Sequence, residues 1–264
     1  VPFYSENTRN VFSEFPTANG DEELQKNTGY NQLDILQKFI FALEENRELT
    51  FNFQYSKSSD IPRFDKLTEY SGRDLKFAEW SYGPQKRFLA SAQLTTEVEK
   101  KWMNSANFIL AYQHLEEERL QRKFGSLDRS YRNEFVDVFS LNADFTANLK
   151  GSSFFQYGLE VIANGVASRS SGNILEVSGN EVIGISGYFD VQSRYPDGGS
   201  TYNNQAVYLD FKTSINPKGA LSAGVRYTAT QLRAKWQDES FITLPSEDIK
   251  LSNGALTARL SYVY

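Results

Sequence analysis

The residues able to do chemistry in this chain are few, and their spacing argues against catalysis. There is no Cys, and a single His114, so neither a thiolate metal site nor a His-based zinc site can be assembled. No glycine-rich phosphate loop with a Lys is present, and no base stands beside a nucleophile. Asp197-Gly198-Gly199 lacks the spaced carboxylates of a calcium loop and reads as a turn. His114 alone is a poor candidate for an iron or haem ligand. The sequence therefore predicts no enzyme, no cofactor and no resident metal.

What remains is charge laid out at a spacing of two. In the stretch 206–231, Asp210 and Lys212 alternate with Leu209 and Phe211, and Arg226 alternates with Val225 and Tyr227. Side chains of an extended chain point to opposite faces in turn, so this is a strand carrying one apolar and one charged face. Asn216-Pro217-Lys218-Gly219 between the two halves reads as a tight reversal, and the whole as a β-hairpin. A soluble sheet would turn the apolar row into a core. A transmembrane barrel would turn it to lipid and the charged row to a wet interior.

The same pattern recurs along the chain. Leu49, Phe51, Phe53 and Tyr55 alternate with polar residues, as do Phe139, Leu141, Ala143 and Phe145 around Asp144. Phe155 to Ala163 does the same around Glu160, and Leu256 to Tyr264 around Arg259. About nine long strands are expected, forming an all-β antiparallel meander that is curved but open. Reversals near 44–46, 97–103, 148–151 and 216–219 are short; those near 57–84, 121–131, 169–202 and 233–252 read as long loops. Short turns at one end and long loops at the other are the arrangement of an outer-membrane barrel. Residues 107–123 have local helix character, with strong formers and carboxylates ahead of bases. Their neighbours call for a strand, and a strand is expected.

Composition agrees with this reading. The 264 residues are 40% hydrophobic and 14% aromatic, and no run approaches the ~18 apolar residues of a spanning helix. The formal net charge of −5 and scattered Lys and Arg give no nucleic-acid face. A soluble or surface-attached β-rich module binding carbohydrate through aromatics is the other class that fits.

Several stretches resemble TonB-dependent outer-membrane receptors of the Bacteroidetes type. They are Asp60 to Leu67 (DIPRFDKL), Ala78 to Arg87 (AEWSYGPQKR), Arg194 to Gly198 (RYPDG), Thr28 to Asp34 (TGYNQLD) and the Arg122-Lys123-Phe124-Gly125 corner. The resemblance implies a 22-stranded transmembrane barrel enclosing a plug domain, of which residues 31–264 would be an internal part. Residues 1–30 would be an extended segment leading into it, and no plug or TonB box is recognisable. It further implies a place in the bacterial outer membrane. The implied partners are membrane lipid, a plug, the TonB system and a small-molecule or metal-chelate ligand such as an iron-siderophore, haem or cobalamin.

On that resemblance, Asp144, Glu160, Asp210, Lys212, Arg226 and Arg259 would face the lumen. Tyr70, Arg73, Trp80, Tyr82, Arg194, Tyr195 and Trp236, in the long loops, would be the candidates for ligand contact.

Overall fold

The computed structural model describes residues 3–4, 17–18, 21, 23–178, 181–241, 243 and 248–264. Most of the expected leading segment 1–30 lies outside them. Nine long strands run in chain order: β1 (Gln32–Glu44), β2 (Arg47–Ser58), β3 (Lys86–Lys100), β4 (Met103–Lys123), β5 (Asp128–Asn148), β6 (Phe154–Ser178), β7 (Ser200–Asn216), β8 (Gly219–Lys235) and β9 (Asp248–Val263). Each pairs antiparallel with its sequence neighbours, so the sheet is an unbroken meander. Within the described residues β1 and β9 are each paired on one side only, which leaves the sheet open at both edges.

The two faces follow from the period of two and the register. Leu209 lies opposite Val225, and Val225 opposite Ala258. Tyr208 lies opposite Arg226, and Asp210 opposite Gly224. One face thus carries Phe53, Leu110, Phe139, Leu141, Val207, Leu209, Val225 and Leu260, every one of them exposed. Aromatic rows cross it from strand to strand. Phe108, Phe145 and Tyr157 form one, with ring centroids 5.5 and 5.3 Å apart; Phe88, Tyr112 and Phe139 form another, at 6.4 and 4.7 Å.

On β4 the apolar row is bounded by Asn104 and His114. Ten residues at about 3.4 Å each is about 34 Å of strand, and a tilt near 40° brings its height to about 26 Å. That matches the ~25 Å apolar band of a membrane barrel. No helix among the described residues is long and apolar enough to cross a membrane.

Ordinary burial is confined to the loop end. Leu67, Leu75, Ala78, Trp80 and, on the outer part of β6, Leu175 are buried there, whereas along the rest of the nine strands the buried apolar side chains are alanines such as Ala106, Ala143 and Ala206. A sandwich would bury large residues in a layer between two sheets; here the large residues are outside.

Segment 107–123 is strand throughout, because β4 is laddered on both sides, from His114 to Phe88 and to Asp137 for example. Two-sided pairing outweighs a local helical preference. One expectation needs correction. The long loop placed near 121–131 is a corner of four residues, Phe124 to Leu127, with Gly125 at φ 70. The intervening polar residues belong to β4 and β5, which at 21 residues each run well past the ~9–11 that cross a bilayer. Similarly, β6 extends for 25 residues and its outer part pairs with a returning strand, Glu181–Phe189.

Candidate functional site

The six charged residues expected on one face do share it, at the turn end and middle of the sheet. Arg226 donates to Glu160 at 2.8 Å, Lys212 to Gln156 Oε1 at 2.8 Å, and Arg259 Nη2 lies 2.8 Å from Asp210 Oδ1. The Tyr208 hydroxyl donates to Asp144. This last contact spans two strands, because Gly158 stands between them in register. A Cβ on Gly158 would come within 2.6 Å of the Tyr208 hydroxyl, so the reach depends on its absence. These groups are satisfied by one another or by neighbouring side chains.

The loop end of the same face differs. The returning strand Phe77–Tyr82 pairs with β4, setting Tyr82 opposite Arg119, which itself lies opposite Arg132 on β5. Trp80 and Tyr82 meet edge to face at 4.7 Å, and two guanidinium groups bracket them. Arg63 is 5.3 and 5.4 Å from the two rings, and Arg119 is 5.6 and 5.0 Å away. Cations over aromatic faces are attracted by the ring quadrupole, and Asp65 holds Arg63 at 2.8 and 2.7 Å while Glu117 lies 3.7 Å from Arg119, so the cluster is fixed and each cation has a carboxylate beside it. Trp80 itself is buried at 7% exposure and acts as its floor.

Two residues further along β5 from Arg132, on the same face, is Glu134. It is only 5% exposed, and neither carboxylate oxygen has a hydrogen-bond partner. Burial pushes its pKa above the usual carboxylate range, an effect that the nearby Arg194 charge opposes. Burial, and then the Arg119 charge, lower the pKa of Arg132, whose Nε donates to the Gln192 carbonyl at 3.1 Å. The segment carrying Arg194 and Tyr195 is held over this face by the contact of the Tyr195 amide with Ser168 Oγ at 3.4 Å, and Ser168 is the register partner of Glu134. A cavity of about 560 Å³ lies beneath, lined by Glu134, Glu117, Leu115, Val136, Val166, Arg87, Arg194 and Tyr195 among others.

Of the seven loop candidates, the structure brings Trp80 and Tyr82 into the aromatic–arginine cluster and Arg194 and Tyr195 onto the adjoining cavity. Tyr70 and Arg73 sit apart on an exposed tip. Trp236 lines a separate cavity with Arg169, Asp190, Asp238 and Phe241. Asp197 accepts the Gln237 and Asp238 amides, each at 2.9 Å, which is the role of a turn residue. Glu134, Arg119 and Arg132 are not among the residues singled out in the sequence, and Arg63 enters there only within the stretch Asp60 to Leu67. For Glu134 a signal existed: its face of β5 reads Val138, Val136, Glu134, and a lone carboxylate after two valines is conspicuous.

No family model matches the chain, and no curated protein matches it in sequence. Solved structures do match in fold. The chain is similar to the copper transporter OprC, with a TM-score of 0.69 at 7% identity over 88% of this chain and 34% of that one. It is similar to the ferric citrate transporter FecA, with a TM-score of 0.61 at 14% identity over 91% and 34%. The ferric yersiniabactin uptake receptor FyuA from Yersinia pestis gives a TM-score of 0.53 at 15% identity over 89% and 35%. The chain thus has the strand arrangement of these transporters and spans about a third of their length.

Proposed function

We propose that the chain forms part of the barrel of a bacterial outer-membrane receptor that takes up a scarce nutrient with energy delivered through TonB. The observation that carries this reading is the inversion of the sheet. Leu209 and Val225 are 43% and 48% exposed, whereas the Asp210 side chain is 17% exposed. In water such a continuous apolar face would be an association site, and in a bilayer it is the required surface. The polar face then lines the lumen, where Asp144, Glu160, Asp210, Lys212, Arg226 and Arg259 would meet water and a plug. The loop end would face the medium and present the aromatic–arginine cluster and its cavity to ligand.

The fold likeness supports the same class, since the matched proteins are named for copper, ferric citrate and ferric yersiniabactin. For this chain the class is a small-molecule or metal-chelate ligand, with iron-siderophore, haem and cobalamin among the possibilities. No catalytic role is assigned to it. A carbohydrate-binding surface module would need a covering layer over the apolar face, and among the described residues that face is bare.

The test is made with the intact protein as its cell produces it. It should fractionate with the outer membrane and resist extraction by alkaline carbonate. Deleting it should abolish uptake of one chelate that otherwise stops when a protonophore is added. Recovery in the aqueous fraction without detergent would overturn the reading.

A further inference from the structure

We propose that the cavity beneath Arg194 and Tyr195 takes a zwitterionic ligand, with an ammonium group on Glu134, an anionic group on Arg194 and an apolar body against Leu115 and Val136. The proposal rests on reading this end of the molecule as the ligand-facing one. Glu134 is nine-tenths buried, lines the cavity, and leaves both oxygens without a partner. A buried carboxylate in that state is costly until it meets a donor or a cation. The charges of Arg194, Arg119 and Arg132 act on it at a distance, Arg194 most, yet none forms an ion pair with it; the Arg194 guanidinium instead stacks at 5.2 Å from the Tyr195 ring.

The other charges around the cavity are engaged elsewhere. Lys86 holds Glu116 at 2.6 Å, Arg87 donates to Gln113 at 2.8 Å, and Glu117 lies 3.7 Å from Arg119. Among the lining residues that leaves Glu134 as the carboxylate unengaged by opposite charge, with Arg194 across an apolar floor from it, while Arg87 is held by the amides of Gln113 and Gln54. A ligand carrying only anionic groups would satisfy Arg194 and leave Glu134 repelling it. A ligand carrying only an amine would leave Arg194 unused. A molecule with both ends charged satisfies both.

The experiment uses the intact protein in detergent and three probes of one skeleton: the dipeptide Phe-Phe, its N-acetyl form and its C-terminal amide. These present a zwitterion, an anion and a cation on one apolar body, and binding is measured by calorimetry. The expected result is that the zwitterion binds at least ~10-fold tighter than either capped form, the range of one charge-assisted contact. Glu134→Gln should erase the preference over the N-acetyl form and keep the preference over the amide. Arg194→Gln should do the reverse. Both variants must retain heat-modifiable migration on gels, which reports an intact barrel.

Equal binding of all three, tighter binding of the N-acetyl form, or no binding would overturn the proposal. So would a strong coupling between the two substitutions in the stability of the unliganded protein, because Glu134 would then be satisfied from within. Uptake is scored separately: if the intact protein still transports a chelate while the dipeptides fail to discriminate, the zwitterion site falls and the transport reading stands.

Discussion

Arg259 reaches Asp210 with one strand between them: its Nη2 is 2.8 Å from Oδ1, and the residue passed over is Gly224. A Cβ on Gly224 would lie 1.8 Å from that oxygen. The glycine is a gap that lets charges two strands apart meet on the polar face. Gly224→Ala should therefore break the pair or shift the strand, lowering stability by about 1–3 kcal/mol. Gly165→Ala, where nothing lies within 4 Å, is the control and should be close to neutral. Urea unfolding of the intact protein in lipid measures both; equal effects would mean that the gap has no structural role.

The returning strand Phe77–Tyr82 is fastened by a buried ion cluster. Glu79 takes Arg122 Nε at 2.7 Å and Arg129 Nη2 at 2.6 Å, and the Arg122 side chain is wholly buried. Glu79→Ala would remove the carboxylate that Arg122 and Arg129 share, and breaking a buried ion pair costs about 3–5 kcal/mol. The expected outcome is local: limited proteolysis should cut within 59–85 while the rest of the barrel stays resistant. Unchanged resistance of that segment would show that its backbone ladder suffices.

A pH dependence follows from His114, the first polar residue beyond the apolar band. Its Nδ1 is 2.8 Å from Asp137 Oδ1 and its Nε2 is 3.4 Å from Glu116, which also holds Lys86. The hydrogen bond to Asp137, above all, raises the His114 pKa from its ordinary value of 6.5. A raised pKa means that the folded state holds the proton more tightly. The stabilisation is full below pH ~6.5 and is lost as pH rises through the folded-state value. His114→Gln should flatten the decline in urea midpoint above pH ~6.5. A variant with the wild-type slope would assign the dependence to another group.

Glu134 predicts the same direction at lower pH. Burial holds its pKa above 4.5, so the unpartnered carboxylate weakens the fold once it ionises. Glu134→Gln should raise stability at neutral pH, by about 1–3 kcal/mol, and the gain should vanish below pH ~4.5. A loss of stability at neutral pH would show that the carboxylate has a partner.

The meander was legible because its signal is periodic. Asp210, Lys212 and Arg226 stand at every second place beside Leu209, Phe211 and Val225, and register carries that alternation intact into two faces. Segment 107–123 was legible only through its neighbours, since its helix preference is local and its pairing is not. The corner at 124–127 reads as a long loop in the sequence because strand beyond the apolar band loses its apolar row and looks like loop. The loop-end site was half legible. Trp80, Tyr82, Arg194 and Tyr195 stand out in the sequence as aromatic and basic loop residues. Arg119, Arg132 and Glu134 were hidden in strand interiors, where only the fold of the returning segments brings them to a cavity.

In the proposed receptor the apolar face meets lipid and the charged face meets water. Spin labels placed one at a time at Leu209, Val225, Ser222 and Thr228 of the intact protein in bilayers test it, with oxygen as the lipid-soluble relaxant and a nickel chelate as the water-soluble one. Leu209 and Val225 should be relaxed by oxygen and shielded from nickel, and Ser222 and Thr228 should show the opposite preference. If Leu209 and Val225 are closed to both relaxants, the apolar face is a protein core and the membrane account is wrong.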